Sequence, residues 1–281
     1  MKEKGKRKKE KTARPGSQGK GTADVHEAPT NSRQRLSGSS DQTTSKPDTE
    51  SPLPKAQSPI GTMGERSLHA ALKRWYADPG DRFEVTVDGF QVDIVRGDLL
   101  VEIQTRSFGA LKRKLAALLE RHPVRLVYPL PVEKWIVRLA DDGLSVVSRR
   151  RSTRQGKLED VFIELVSLAK LMGNPRLQIE VLLTREEEVR RYSKTGSWRR
   201  QGWGTCDRRL IEVVRRVKLH SPDALRMFLP DGLPDPFTVA QLAAAGPYAR
   251  PIAGRIAYCL RHMGIVIQAG KLGNAILYRR T

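Results

Sequence analysis

Cysteine is scarce in this 281-residue chain: Cys206 and Cys259 are the only two. They form no CxxC pair, which argues against a structural zinc site and against a disulfide framework. Cys259 falls in an apolar helical pattern and reads as a core residue. No apolar run approaches membrane-spanning length. The start, MKEKGKRKKEK, is followed by no hydrophobic stretch and is not a signal peptide. No lipidation signal or basic amphipathic membrane helix stands out either. These absences point to a cytoplasmic protein with no membrane partner, and association with the nucleoid is compatible with them. Apolar periodicity is missing from residues 1–60, which are rich in Lys, Gly, Ser, Thr, Pro and Gln. Such a segment buries too little surface to offset its ordering entropy, so a disordered basic tail is expected there.

What the chain has in excess is positive charge, +20 in all. The tail holds 13 basic and 7 acidic residues, so +14 of the excess belongs to residues 61–281. A polyanion is the usual partner for such a field, and DNA is the leading candidate, with RNA the alternative.

Order is expected from about Met63. In GERSLHAALKRWYA, the positions Leu68, Ala71, Leu72 and Trp75 share a helical face. Asp78-Pro79-Gly80 ends that helix, and three short strands follow, turning at Asp88-Gly89 and at Arg96-Gly97-Asp98. A basic amphipathic helix, FGALKRKLAALLERH, leads into the apolar strand PVRLVYPL. Beyond it the patterns predict a hairpin (134–139 and 144–148), a helix over 158–172 and a strand over 177–183. Thr184 with Glu187 resembles a capping box and predicts another helix. WRRQGWG reads as a linker and 207–229 as helices. Then come a short helix capped by Thr238, a helix over 250–263 and a terminal hairpin. Helix, turn, helix and hairpin together predict a winged helix-turn-helix unit.

The chemistry-bearing spacing is VDIVRGDLLVEIQ. Asp93 lies on one strand, and Glu102 and Gln104 lie two apart on the next, hence on one face. Two carboxylates and the Ile103 carbonyl are hard oxygen donors of the kind Mg²⁺ (or Mn²⁺) takes while keeping several waters. Glu65 on the first helix offers a third carboxylate, and equally an ordinary helix N-terminal acid. The competing reading of Asp93 and Glu102 is a pair of solvent-facing residues on an edge hairpin.

With its order of elements, this constellation resembles the PD-(D/E)xK nuclease superfamily over roughly residues 63–130. Glu65, Asp93, Glu102 and Gln104 match that superfamily's helical Glu, strand Asp and (D/E)-x-K positions. The resemblance implies a restriction-endonuclease-like α/β fold and Mg-dependent phosphodiester hydrolysis, with Asp93 and Glu102 on the metal and dimers for cutting both strands. Gln104 departs from the pattern where the superfamily carries Lys. Gln can orient a water but cannot supply a cation. Lys112 or Lys114 on the following helix could replace that charge. Over 63–281 the chain also resembles an uncharacterised bacterial family that joins such a core to the C-terminal unit.

The expected organisation is therefore a tail (1–60), a nuclease-like domain (61–150), a connecting α+β segment (151–205) and a winged helix (206–281). Arg106, Lys112 and Lys114 near the carboxylates, with Arg250, Arg255, Lys271 and Arg279 in the C-terminal unit, are the expected nucleic-acid contacts. The expected activity is that of a DNA endonuclease or repair-type nuclease. The alternative is a non-catalytic DNA-binding or regulatory protein on the same fold.

Overall fold

A computed structural model describes residues 67–194, 201–219 and 221–281. The expected tail, Glu65 and residues 198–200 of the expected linker lie outside these described residues.

Helix α1 (Ser67–Tyr76) buries Leu68, Leu72 and Tyr76. Trp75, expected on that face, is 42% exposed, and its neighbour Tyr76 takes the inward place instead. Strands β1 (Arg82–Val87), β2 (Phe90–Arg96) and β3 (Leu99–Ile103) follow as an antiparallel meander. Asp88 and Gly89 both adopt positive φ, the backbone of a tight two-residue hairpin turn. A 3₁₀ turn and α2 (Lys112–Leu118) then carry the chain back to β4 (Val124–Leu139), which pairs parallel to β3.

The strands that complete this sheet are longer than the sequence patterns suggest. β4 runs unbroken through Lys134–Leu139, joining two segments expected to be separate. β5 (Val146–Arg151) pairs with its outer part. Short helical turns over 158–168, including α3 (Phe162–Leu165), replace the expected long helix. Next come β6 (Leu177–Tyr192), parallel to β4, and β7 (Trp203–Lys218), antiparallel to β6. The result is one large mixed sheet of order β1-β2-β3-β4-β6-β7, with β5 on the outer part of β4 and helices against it.

Two expectations are corrected here. The helix proposed from Thr184 is the second half of β6. Its acids are held by cations: Glu186 by Arg208, Glu187 by Arg149, and Glu188 by Lys134 and Arg190. Pairing on both sides outweighs the helix propensity of the Glu run. The helices proposed over 207–229 are β7 up to Lys218, followed by the one-turn α4 (Pro222–Arg226). Leu210, Val213, Val214 and Val217 mimic a helical period, but β-branched Ile211, Val213, Val214 and Val217 favour a strand. β7 also runs across positions 205 and 206, where a boundary was expected.

The C-terminal elements are β8 (Phe237–Thr238), α5 (Val239–Ala245), α6 (Arg250–His262), β9 (Val266–Leu272) and β10 (Ala275–Arg280). Thr238 caps α5, accepting a hydrogen bond from the Gln241 amide. The three strands form a second sheet of order β8-β10-β9. On α6, Ile256, Cys259 and Leu260 are fully buried, as the periodicity requires. One apolar core joins this unit to the face of the large sheet that carries α2 and α3, with Phe162 edge-on to Phe228 at 4.8 Å. A smaller core on the opposite face packs α1 over Ile94, Val101, Ile103, Val127 and Leu182. No described helix is long and apolar enough to cross a membrane.

Candidate active site

The β2–β3 pairing ends at Ile94 opposite Val101, just before Asp93 and Glu102 would face each other. Where the backbones part, the Asp93 side chain fills the gap: the Ile103 amide donates to its Oδ2 at 2.8 Å. His69 Nε2, from α1, lies 3.2 Å from the same oxygen. Asp93 and Glu102 are only 9% and 6% exposed, so the solvent-facing edge hairpin is excluded.

Glu102 meets a cation from the other side. Lys114 Nζ, reaching up from α2, donates to Glu102 Oε1 at 2.6 Å and also bonds Oε2 and the Gln91 carbonyl. Of Lys112 and Lys114, the structure brings Lys114 to the acid, while Lys112 is exposed. Gln104 is turned into its own loop: its side-chain amide donates to the Ser107 carbonyl at 3.2 Å, and its oxygen accepts from the Arg106 amide at 3.4 Å.

The electrostatics of the pair are uneven. Burial pushes Glu102 up to about 7, the neighbouring Asp93 charge adds to that rise, and Lys114 opposes it. Asp93 is held below its ordinary value: burial works against ionisation, but His69, the Ile103 amide and Lys114 outweigh it. Asp93 lies near enough for its charge to disfavour ionisation of Glu102. With Asp93 depressed and Glu102 raised to about 7, the pair favours one proton, on Glu102, as pH falls through neutrality.

His69 was not expected here. The signal for it in the sequence is a histidine on the helix that packs over the strand Asp. Glu65 lies outside the described residues, and among these no cluster of three His, Cys, Asp or Glu is arranged for a metal. The hard-oxygen donors present are Asp93, Glu102 and the Ile103 carbonyl. They suit a cation that displaces the Glu102 proton and keeps most of its waters.

The other expected contacts are dispersed. Arg106 is exposed beside Gln104; Arg250, Lys271 and Arg279 are exposed on the C-terminal unit, and Arg255 is half-buried on α6.

No solved structure matches the chain. A protein of Treponema pallidum (strain Nichols), described as uncharacterised, is 30% identical over 225 residues, covering 79% of this chain and 87% of the relative. A family model described as a domain of unknown function, DUF8091, matches residues 66–220. That span starts one residue before α1 and ends two residues after β7, so it takes in the whole large sheet and the carboxylate pair. The chain thus belongs to the DUF8091 family.

Proposed function

We propose that this protein is a metal-dependent DNA nuclease of the PD-(D/E)xK type, with its missing motif lysine supplied from α2. The observation that carries the reading is the convergence of Asp93, Glu102 and Lys114 where β2 and β3 part. The element order helix, three-strand meander, helix and parallel strand supports a restriction-endonuclease-like core. In the C-terminal unit, the sheet order β8-β10-β9 around α5 and α6 supports a winged helix, with Arg250 and Arg255 offered to a groove and Lys271 and Arg279 to phosphates.

In this mechanism Asp93 and Glu102, with the Ile103 carbonyl, would hold Mg²⁺ or Mn²⁺. The ion would supply water activation and charge neutralisation at phosphorus. The chain's own groups prepare the site. The Ile103 amide and His69 fix the Asp93 carboxylate. Lys114 compensates Glu102 and is placed to stabilise an anionic phosphate, which Gln104 cannot do. Gln104 braces the loop that carries Arg106.

A second reading, a DNA-binding or regulatory protein without cleavage, is favoured by Gln104, whose side chain is committed to that loop. Incubating the full chain with duplex, branched and single-stranded DNA and Mg²⁺ or Mn²⁺ separates the two. Cleavage that is lost in Asp93→Ala and strongly reduced in Lys114→Ala supports the nuclease. Cleavage unchanged in both removes the site, and binding without cleavage in the wild type selects the second reading.

A further inference from the structure

The large sheet does not stop at the carboxylates. β3 ends at Ile103, paired with Val127, whereas β4 continues to Leu139. Twelve further residues at about 3.3 Å each carry the β4–β6–β7 sheet up to roughly 40 Å beyond the site. One turn of duplex DNA spans about 34–36 Å. This projecting arm has β5 as its edge, paired only with β4.

All six residues of β5 are exposed, and three of them are consecutive arginines, Arg149, Arg150 and Arg151. From Gly143 to Leu158 the sequence contains no acidic residue. Charged residues on an edge can simply prevent sheet-to-sheet pairing, a task that needs no fixed geometry. Here two of the guanidinium groups are fixed. Arg149 lies over the Trp135 ring at 5.2 Å and donates through Nε to Glu187 at 2.8 Å. Arg151 is held by Glu133 at 3.0 Å. The terminal nitrogens of Arg149 have no hydrogen-bond partner among the described residues, so the donor edge of a positioned guanidinium is left for a ligand. Alternation turns Arg150 to the other face, where it has no ion pair among the described residues. Arginines on both faces of one exposed edge suit a ridged, doubly anionic ligand better than a flat surface.

We propose that the β5 edge of this arm is a docking ribbon for the phosphate backbone of duplex DNA, extending the substrate path from the carboxylate pair. The inference rests on the nucleic-acid part of the reading above but not on cleavage. Its test is the salt dependence of binding of the full chain to a labelled DNA duplex in EDTA, where no metal-dependent cutting occurs. Each phosphate contact removed lowers the slope of log affinity against log salt by about one. The triple variant Arg149→Ala/Arg150→Ala/Arg151→Ala is expected to bind at least about tenfold more weakly near 0.1 M salt, with a slope lower by about two to three. Arg150→Glu, at an exposed position without a partner to lose, is expected to weaken binding severalfold while leaving the fold intact. Arg121→Ala, just before the start of β4 at the far end of the sheet, is the control and should match wild type. Wild-type affinity and slope in the triple variant overturn the proposal, whether or not the protein cuts DNA. So does failure of the wild type to bind duplex DNA at low salt, or tighter binding to duplex RNA. Weakened binding in a protein that never cleaves keeps this surface and loses the nuclease.

Discussion

Two sets of buried acids on the same sheet have opposite electrostatic fates. On the arm, Glu188 is 7% exposed and is held by Lys134 at 2.6 Å, Arg190 and Thr205, with its carboxyl lowered to about 2 despite its burial. Glu186, fully buried, takes two bonds from Arg208 and one from Thr184. At the β2–β3 parting, Glu102 is just as buried, yet it has one lysine and faces a second acid, and it rises to about 7. Burial alone therefore does not mark a functional carboxylate. The mark is burial without enough positive charge, because that deficit is what a divalent cation can fill.

The largest expected effect lies on the under-compensated side. Asp93→Ala and Glu102→Ala should each lower DNA cleavage by at least about a thousandfold, measured as single-turnover rates, because each would remove a ligand of the proposed metal. Lys114→Ala should lower the same rate by about a hundredfold, in line with loss of one charged stabiliser. If Lys114→Ala cuts normally, the helix-borne lysine has no part in the chemistry.

Stability should show the contrast with reversed sign. Glu188→Ala leaves Lys134 and Arg190 without their shared acid and should cost about 1–3 kcal/mol by urea unfolding at pH 7. Glu102→Gln removes a group that resists ionisation. In metal-free protein it should stabilise at pH 8 by up to about 3 kcal/mol, less whatever the Lys114 pairing returns. The pH profiles differ accordingly. Glu102 binds its proton more tightly when folded, so its contribution is full below 4.5 and is lost as pH rises through about 7. Glu188 is depressed, so its contribution is full above 4.5 and is lost as pH falls towards about 2. An unfolding series that gives both variants the same pH dependence breaks the comparison. The smallest effect belongs to Gln104→Ala, expected to change cleavage by less than about tenfold, since its side chain braces only a loop.

How far the sequence carried the description follows from where the determining forces lie. The Asp88-Gly89 turn, the α1–β4 order and the core face of α6 are fixed by local chemistry and periodicity, and they are found where the patterns place them. β6 and β7 are not. Their Glu-rich and Arg-rich halves look helical in isolation, and they are held as strands by acids on one pairing with cations on its neighbours, far apart in sequence, with β-branched residues in β7 adding to the preference. The same holds in the site. Asp93 and Glu102 could be named from spacing, but His69 and Lys114 reach them from helices 24 and 12 residues away. No spacing rule could choose Lys114 over Lys112, which required the rotation of α2 against the sheet.

A divalent cation bound by Asp93 and Glu102 must displace the proton that Glu102 carries in part near neutrality. Calorimetric titration of the full chain with Mn²⁺ at pH 6.5, repeated in buffers of different ionisation enthalpy, counts the protons released. A substantial fraction of one proton per bound ion, abolished by Glu102→Gln, is the predicted result. Binding without proton release, or no binding at all, would contradict the account.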